Sequence, residues 1–158
     1  GIGISFGGGM VNTCVCYKTI PALSFSICRG GDWIDKNVAA VLGIPASKAT
    51  YLKERCGDLR NPQSREEEAI GIYYRNLINY TLNNIKHRFE SSANMPTFPQ
   101  AIQVVCAGGT SLIPGFVEVF RQEFEKIDFP LEVTRIRRAD EALNSVAKGC
   151  LVAAAIAD

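Results

Sequence analysis

Three glycine-bearing turns carry the residue types most able to do chemistry in this chain. The first is Ser5-Phe6-Gly7-Gly8-Gly9-Met10-Val11-Asn12. Three successive glycines permit positive φ and let backbone N–H groups approach a phosphate with no Cβ in the way. The same run also suits a plain hairpin turn between two strands. The second is Cys28-Arg29-Gly30-Gly31-Asp32, which puts small residues and an acid at the start of a helix, where Asp32 suits the cap. The third is Ala107-Gly108-Gly109-Thr110-Ser111-Leu112-Ile113-Pro114-Gly115. Its glycines allow a flat ring to lie against the backbone, and Thr110 and Ser111 offer hydroxyls. An ordinary strand-to-helix turn is the other reading of that segment.

The elements between these turns decide whether the three can meet. Ile2 to Phe6, Val11 to Thr19 and Leu23 to Cys28 read as strands, and their short connections predict an antiparallel meander. Ile34, Val38, Val41 and Leu42 fall three or four apart and predict a helix ended by Gly43 and Pro45. A second helix opens at Ser47 and runs to about Arg55. A long third one spans about Ser64 to Glu90, begun by a capping box, Ser64-Arg65-Glu66-Glu67. The last third predicts a strand from Ile102 to Ala107, buried on both faces, and a helix from Pro114 to about Ile127. A strand from Leu131 to Ile136 and a helix from Ala142 to Ala157 complete it. The order β-β-β-α, a mainly helical insertion, then β-α-β-α predicts an α/β domain with a mixed five-stranded sheet and helices on its faces. That is a ribonuclease-H-like outline. Residues 1–43 and 101–158 form its core and residues 44–100 the insertion. Open sheets of this kind bind ligands at strand ends, where all three glycine turns stand.

Composition narrows the classes. The chain has 158 residues, 47% hydrophobic and 21% charged, with 17 basic against 16 acidic side chains. That is a globular composition with no global attraction to nucleic acid or an anionic membrane. The apolar run Leu151 to Ala157 is too short to cross a bilayer, so no transmembrane segment is expected. Arg135, Arg137 and Arg138 read as a basic cluster after the last strand, a solvated end rather than a nucleic-acid site. The six cysteines lack zinc spacing, and His87 is the only histidine; they predict buried free thiols in a reducing, cytoplasmic setting. Cys14 and Cys16 alternate on one strand and should face the same side. The start at Gly1, inside a strand-like run, suggests a piece of a longer protein.

Taken together and in this order, the segments resemble the C-terminal half (domain II) of the actin-like ATPase superfamily, which includes actin, MreB, FtsA and the DnaK-type chaperones. ISFGGGMVNTCV is similar to that family's second phosphate loop, and ICRGGDWID to its strand-to-helix junction. TYLKERCG resembles the helix whose Lys and acid reach ribose and base, VVCAGGTSLIPGF the adenosine loop, and DEALNSVAKGCLVAA the closing helix of MreB. The resemblance implies ATP with Mg²⁺ in a cleft of which this chain forms half. Gly7, Gly8 and Gly9 would meet the β- and γ-phosphates, with Met10 beside them. Gly30 would lie under the sugar, Lys53 and Glu54 would flank ribose and base, and Gly108, Gly109, Thr110 and Ile113 would support the adenosine.

Three positions depart from the family pattern. Ser5 stands where the family has an Asp that holds the metal through water, and a hydroxyl lacks the charge favoured by hydrated Mg²⁺. Met10 replaces a phosphate-binding Thr. Asn12 stands near the attacking water, where an amide orients water but is a poor base. The resemblance therefore implies an actin- or MreB-like cytoskeletal domain that pairs with a missing N-terminal domain and supports filament self-association, with little turnover on its own. A non-hydrolysing scaffold on the same fold and a chaperone-like ATPase are the alternatives.

Overall fold

The computed structural model describes residues 1–18, 20–93 and 96–156. Its elements are β1 (Ile2–Phe6), β2 (Val11–Tyr17), β3 (Ile20–Ile27), α1 (Gly31–Leu42), α2 (Ala46–Glu54), α3 (Arg65–Ser91), β4 (Ile102–Ala107), a 3-10 turn (Gly109–Leu112), α4 (Phe116–Phe124), β5 (Val133–Arg138) and α5 (Ser145–Ile156). The five strands form one sheet in the order β3-β2-β1-β4-β5. β1 pairs antiparallel with β2, and β2 with β3, while β1–β4 and β4–β5 are parallel. The predicted mixed α/β architecture is therefore the observed one.

Alternation along the strands sorts the sheet into two faces. Ile2, Ile4, Phe6, Val11, Val15, Val104 and Cys106 are buried, and they join Ile34 and Val38 of α1, Ile70 to Ile85 of α3, and Phe116 and Phe120 of α4 in one hydrophobic cluster. Phe6 sits edge-on to Phe116 at 5.0 Å between ring centroids, within the range of favourable aromatic pairs. The other face carries Gly3, Ser5, Asn12, Cys14, Ser24, Ser26, Val105 and Ala107, which line an open depression of about 590 Å³. Among the described residues only Ser145 and Val146, at the start of α5, bring a helix to it. Helices on both faces were predicted; one face is left open. For the same reason β4 is not buried on both sides, since Gln103 is exposed.

Other boundaries moved for local reasons. β3 begins at Ile20 and takes in Pro21, which an edge strand tolerates because one row of its N–H groups needs no partner. Thr19, the predicted end of the second strand, lies outside the described residues, as does Ala157. Asp32 does not cap α1. Gly30 holds that position, and the first two helical N–H groups donate to the Gly7 and Gly8 carbonyls instead. α2 opens at Ala46 behind Pro45, one residue before Ser47. α4 is shorter than expected, starting at Phe116 after the left-handed Gly115 (φ 81°). β5 starts two residues late, so Arg135, Arg137 and Arg138 lie on the strand rather than beyond it. α5 starts at Ser145 rather than Ala142. The Ser64 hydroxyl does accept from the Glu67 N–H, at 3.1 Å. The Glu67 carboxylate, however, reaches the N–H groups of Gln63 and Gly57, which draw its pKa below the usual carboxylate value.

All six cysteines are free thiols, but only Cys56 and Cys106 are buried. Cys28 and Cys150 are exposed because the glycine turn and the uncovered α5 leave them at the surface. Cys14 and Cys16 do share a face, with their sulfurs 3.4 Å apart.

Candidate functional site

The three glycine turns meet at one atom. The Gly7 carbonyl accepts the Gly31 N–H at 2.9 Å and the Thr110 hydroxyl at 3.0 Å, tying the first turn to the second and third. Close approach requires the glycines behind this junction. A Cβ on Gly30 would lie 2.3 Å from the Gly8 carbonyl oxygen, and one on Gly108, at φ 87°, would lie 2.3 Å from that of Phe6. Both distances are shorter than any real carbon–oxygen contact of that kind.

Above the junction opens a cavity of about 480 Å³ lined by Gly8, Gly31, Asp32, Asp35, Thr50, Lys53, Glu54, Cys56, Tyr74, Gly109, Thr110, Leu112, Ile113 and Pro114. Six of the sequence-predicted residues converge there: Gly8, Lys53, Glu54, Gly109, Thr110 and Ile113. Gly7, Gly30 and Gly108 form the packed support beneath. Gly9 and an exposed Met10 continue the first loop beyond the lining. Among the described residues the Gly8 and Gly9 N–H groups donate to no carbonyl of the chain, so they are available to an anion. The α1 N-terminus is not, since the Gly31 and Asp32 N–H groups are already used.

Lys53 is held rather than free. Its ammonium donates to Asp35 Oδ2 at 2.8 Å and to the Gly31 carbonyl at 3.0 Å, and the Thr50 hydroxyl donates to the same carboxylate oxygen at 2.9 Å. The pair is largely buried, with 13% and 8% of the two side chains exposed. Asp35 Oδ1 is buried without a partner, a costly arrangement unless something else donates to it. Gly31 is small because a Cβ there would come within 2.7 Å of the Thr110 hydroxyl and 3.1 Å of the Lys53 ammonium. Tyr74 and Cys56 wall the deep side. Burial pushes the Cys56 thiol up to about 11, with the Glu67 and Asp58 charges adding to it, so it stays protonated and unreactive at neutral pH. Burial also raises the Tyr74 phenol, reinforced by Asp35 and Cys56.

The residues that sequence reasoning missed are Gly31, Asp35 and Thr50. Asp35 had a visible signal: an acid lying next to Ile34 and one turn before Val38, on a helix face that must be buried. Thr50 and Lys53, three apart on α2, share a face and so reach one acceptor.

Ser5 and Asn12 lie elsewhere. They are cross-strand partners on the open face, and the Ser26 hydroxyl donates to Asn12 Oδ1 at 2.6 Å. For Mg²⁺ the Ser5 position does not fit, because its hydroxyl carries no charge and no carboxylate lines that depression. The carboxylates facing the cavity on the other side are Asp32, Asp35 and Glu54.

The sequence profile of the Volactin family matches residues 1–154. The chain belongs to the Volactin family. Among solved structures it is similar to a non-polymerising MamK mutant bound to AMPPNP, with TM-score 0.72 and 17% identity over 95% of this chain and 52% of that one. MreB5 of Spiroplasma citri bound to ADP gives TM-score 0.70 and 17% identity, over 96% and 52%. The ethanolamine utilization protein EutJ from Carboxydothermus hydrogenoformans gives 0.63 and 21%, over 91% and 46%. These likenesses establish an actin-like fold with similarity to MreB. This Volactin-family chain spans about half the length of those solved chains. Comparison with curated proteins returns no match. Among the described residues no helix is long and apolar enough to cross a membrane.

Proposed function

We propose that this chain is the nucleotide-binding domain II of an actin- or MreB-like cytoskeletal protein and forms half of an ATP cleft. The observation that carries the reading is the junction at the Gly7 carbonyl, which brings two unused amides, an anchored Lys53, Glu54 and a glycine-lined slot around one cavity. Gly8 and Gly9 would receive phosphate oxygens, Glu54 would accept from ribose hydroxyls, and Gly109, Thr110 and Ile113 would flank the base. Mg²⁺, when bound with the nucleotide, would neutralise phosphate charge. Asn12, tied to Ser26 on the open face, lies outside this cavity and brings no base to it, which favours nucleotide binding over rapid turnover.

The open sheet face and α5 suit an upstream half of the same protein. Leu143, Val146, Leu151 and Val152 are each more than half exposed, an apolar surface that invites cover. Self-association into filaments, as in a MamK double helical filament of the same fold, is the assembly we infer. The free thiols fit a cytoplasmic setting.

Calorimetric titration of AMPPNP into the full-length protein tests this reading. Binding in the wild type and its loss in Gly109→Asp, which places a carboxylate in the slot, are expected. Absence of binding by the wild type at millimolar nucleotide would leave a scaffold that kept the fold and lost the ligand.

A further inference from the structure

The long helix α3 has an outer face whose charges are sorted along its length. Its inner side, with Ile70, Tyr74, Leu77, Ile78, Thr81 and Ile85, is buried against the core. On the opposite side, three or four residues apart, run Arg65, Glu68, Ile72, Asn76, Tyr80 and Asn83, continued by His87 and Glu90, all exposed. From Asn76 to Asn84 there is no charged side chain. A helix face that meets only water gains from paired Lys and Glu, whereas asparagine is a poor helix former in that position. Ile72 is 52% exposed, and Tyr80, 37% exposed, is held by the Arg29 guanidinium 3.8 Å from its ring centroid. A charge-free middle carrying an aromatic ring and an apolar side chain has the composition of an interface core.

The two ends are charged and unlike. Arg65 and Glu68 stand at one, His87 and Glu90 at the other, and the 27 residues span about 40 Å. Among the described residues Arg65 and Glu68 form no ion pair, and Glu90 has only a loose one with Lys86 at 3.8 Å. In a parallel pair of such helices each charge would meet its own copy. Reversed, the same face matches itself. Arg65 falls opposite Glu90 of the second copy, Glu68 opposite His87, Ile72 opposite Asn83 and Asn76 opposite Asn79, because all four pairs share one midpoint on the helix. The amides of the middle both donate and accept, so they too can meet their own kind.

We propose that the outer face of α3 is a self-association surface on which two copies of this chain meet antiparallel about a two-fold axis. The proposal rests on the self-association reading above, and names the contact and its polarity. The exposed end pairs set the direction and make the contact salt-sensitive, while Tyr80 and Ile72 supply the area that is taken from water.

The test follows sedimentation velocity of the full-length protein at high concentration, in low and high salt. The samples are wild type, Arg65→Glu, Glu90→Arg, the double exchange Arg65→Glu with Glu90→Arg, and Lys48→Glu, which reverses an exposed charge on α2. Folding is checked by circular dichroism. The wild type is expected to self-associate in low salt and less in high salt. Each single reversal places two like-charge contacts in the symmetric pair and should weaken association about tenfold. The double exchange should restore it. Within one copy residues 65 and 90 lie roughly 37 Å apart along the helix, too far to compensate each other, so that rescue has to come across copies. Lys48→Glu should behave as wild type. A wild type that stays monomeric, single reversals without effect, a double exchange that fails to rescue, or an equal loss in Lys48→Glu overturns the proposal. Calorimetry with AMPPNP on the same samples decides the nucleotide reading separately, since none of these positions lines the cavity.

Discussion

The two faces of the sheet are built from the same strands and behave as different materials. On the helix-covered face, Ile4, Phe6, Val11 and Val15 are at most 2% exposed and interlock with α1, α3 and α4. On the other, Gly3, Ser5, Asn12, Cys14, Ser24 and Ser26 make a shallow surface of small and polar groups. The covered face supplies the free energy of folding, since burying large apolar side chains is what offsets chain entropy. The open face contributes little to that balance, which leaves its residues free to be set by whatever docks there. The cavity lies at the strand ends, where Gly30 and Gly108 let the turns close over the covered core.

The largest expected effect breaks the covered face. Phe6 is fully buried and packs on both Phe116 and Phe120. Phe6→Ala should cost about 3–5 kcal/mol, the usual range for an aromatic ring removed from a core. Ser5→Ala, one residue away on the opposite face, should change stability by no more than about 0.5 kcal/mol. Urea titration of both variants measures the contrast. Similar losses at the two positions would mean that the open face is packed in the isolated chain and that the two-material description is wrong.

A smaller effect sharpens the link between core and cavity. Gly108→Ala forces a side chain into the left-handed region and onto the Phe6 carbonyl, with a cost on the order of 1–3 kcal/mol from strain and whatever relaxation adds. Gly43→Ala has a similar positive φ, 65°, but no atom within 4 Å of its Cβ, so it should cost only about 1 kcal/mol. Thermal unfolding of the pair separates steric closure of the cavity from backbone strain alone.

That glycine also shows what was legible in the sequence. The glycine turns, the order of the elements along the chain and the long helix could be read because their signals are local: φ-permissive residues, alternation, and helical spacing opened by the Ser64 cap. The resemblance to actin-like proteins then brought Gly8, Lys53, Glu54, Gly109, Thr110 and Ile113 to one place. What could not be read was non-local. Nothing in the run around Asp32 says that the Gly7 and Gly8 carbonyls, more than twenty residues upstream, would take over the capping of α1. Nothing around Lys53 says that Asp35 would claim its ammonium. The open face was missed because a short apolar strand such as β4 reads alike whether one side or both are buried; Gln103 was the warning.

The smallest effect concerns the thiols, which report both faces at once. Cys28 and Cys150 should react first with a thiol reagent in the native protein, the half-buried Cys14 and Cys16 on the open face more slowly, and Cys56 and Cys106 only on unfolding. Burial holds Cys106 at about 12 and Cys56 at about 11, against an ordinary value of 9.0, so the folded state retains protons that the unfolded state releases. The unfolded chain binds fewer protons above pH 9, and stability must therefore fall as pH rises through the window from 9 to about 12. The slope cannot exceed about 1.4 kcal/mol per pH unit for each such thiol. Cys106→Ala should flatten that alkaline decline, at the cost of a constant packing loss at every pH. In the full-length protein Cys14, Cys16 and Cys150 should become protected if an upstream half covers the open face and α5. Unchanged labelling of those three, with Cys56 and Cys106 still silent, would show that the face stays bare and that the partner docks elsewhere.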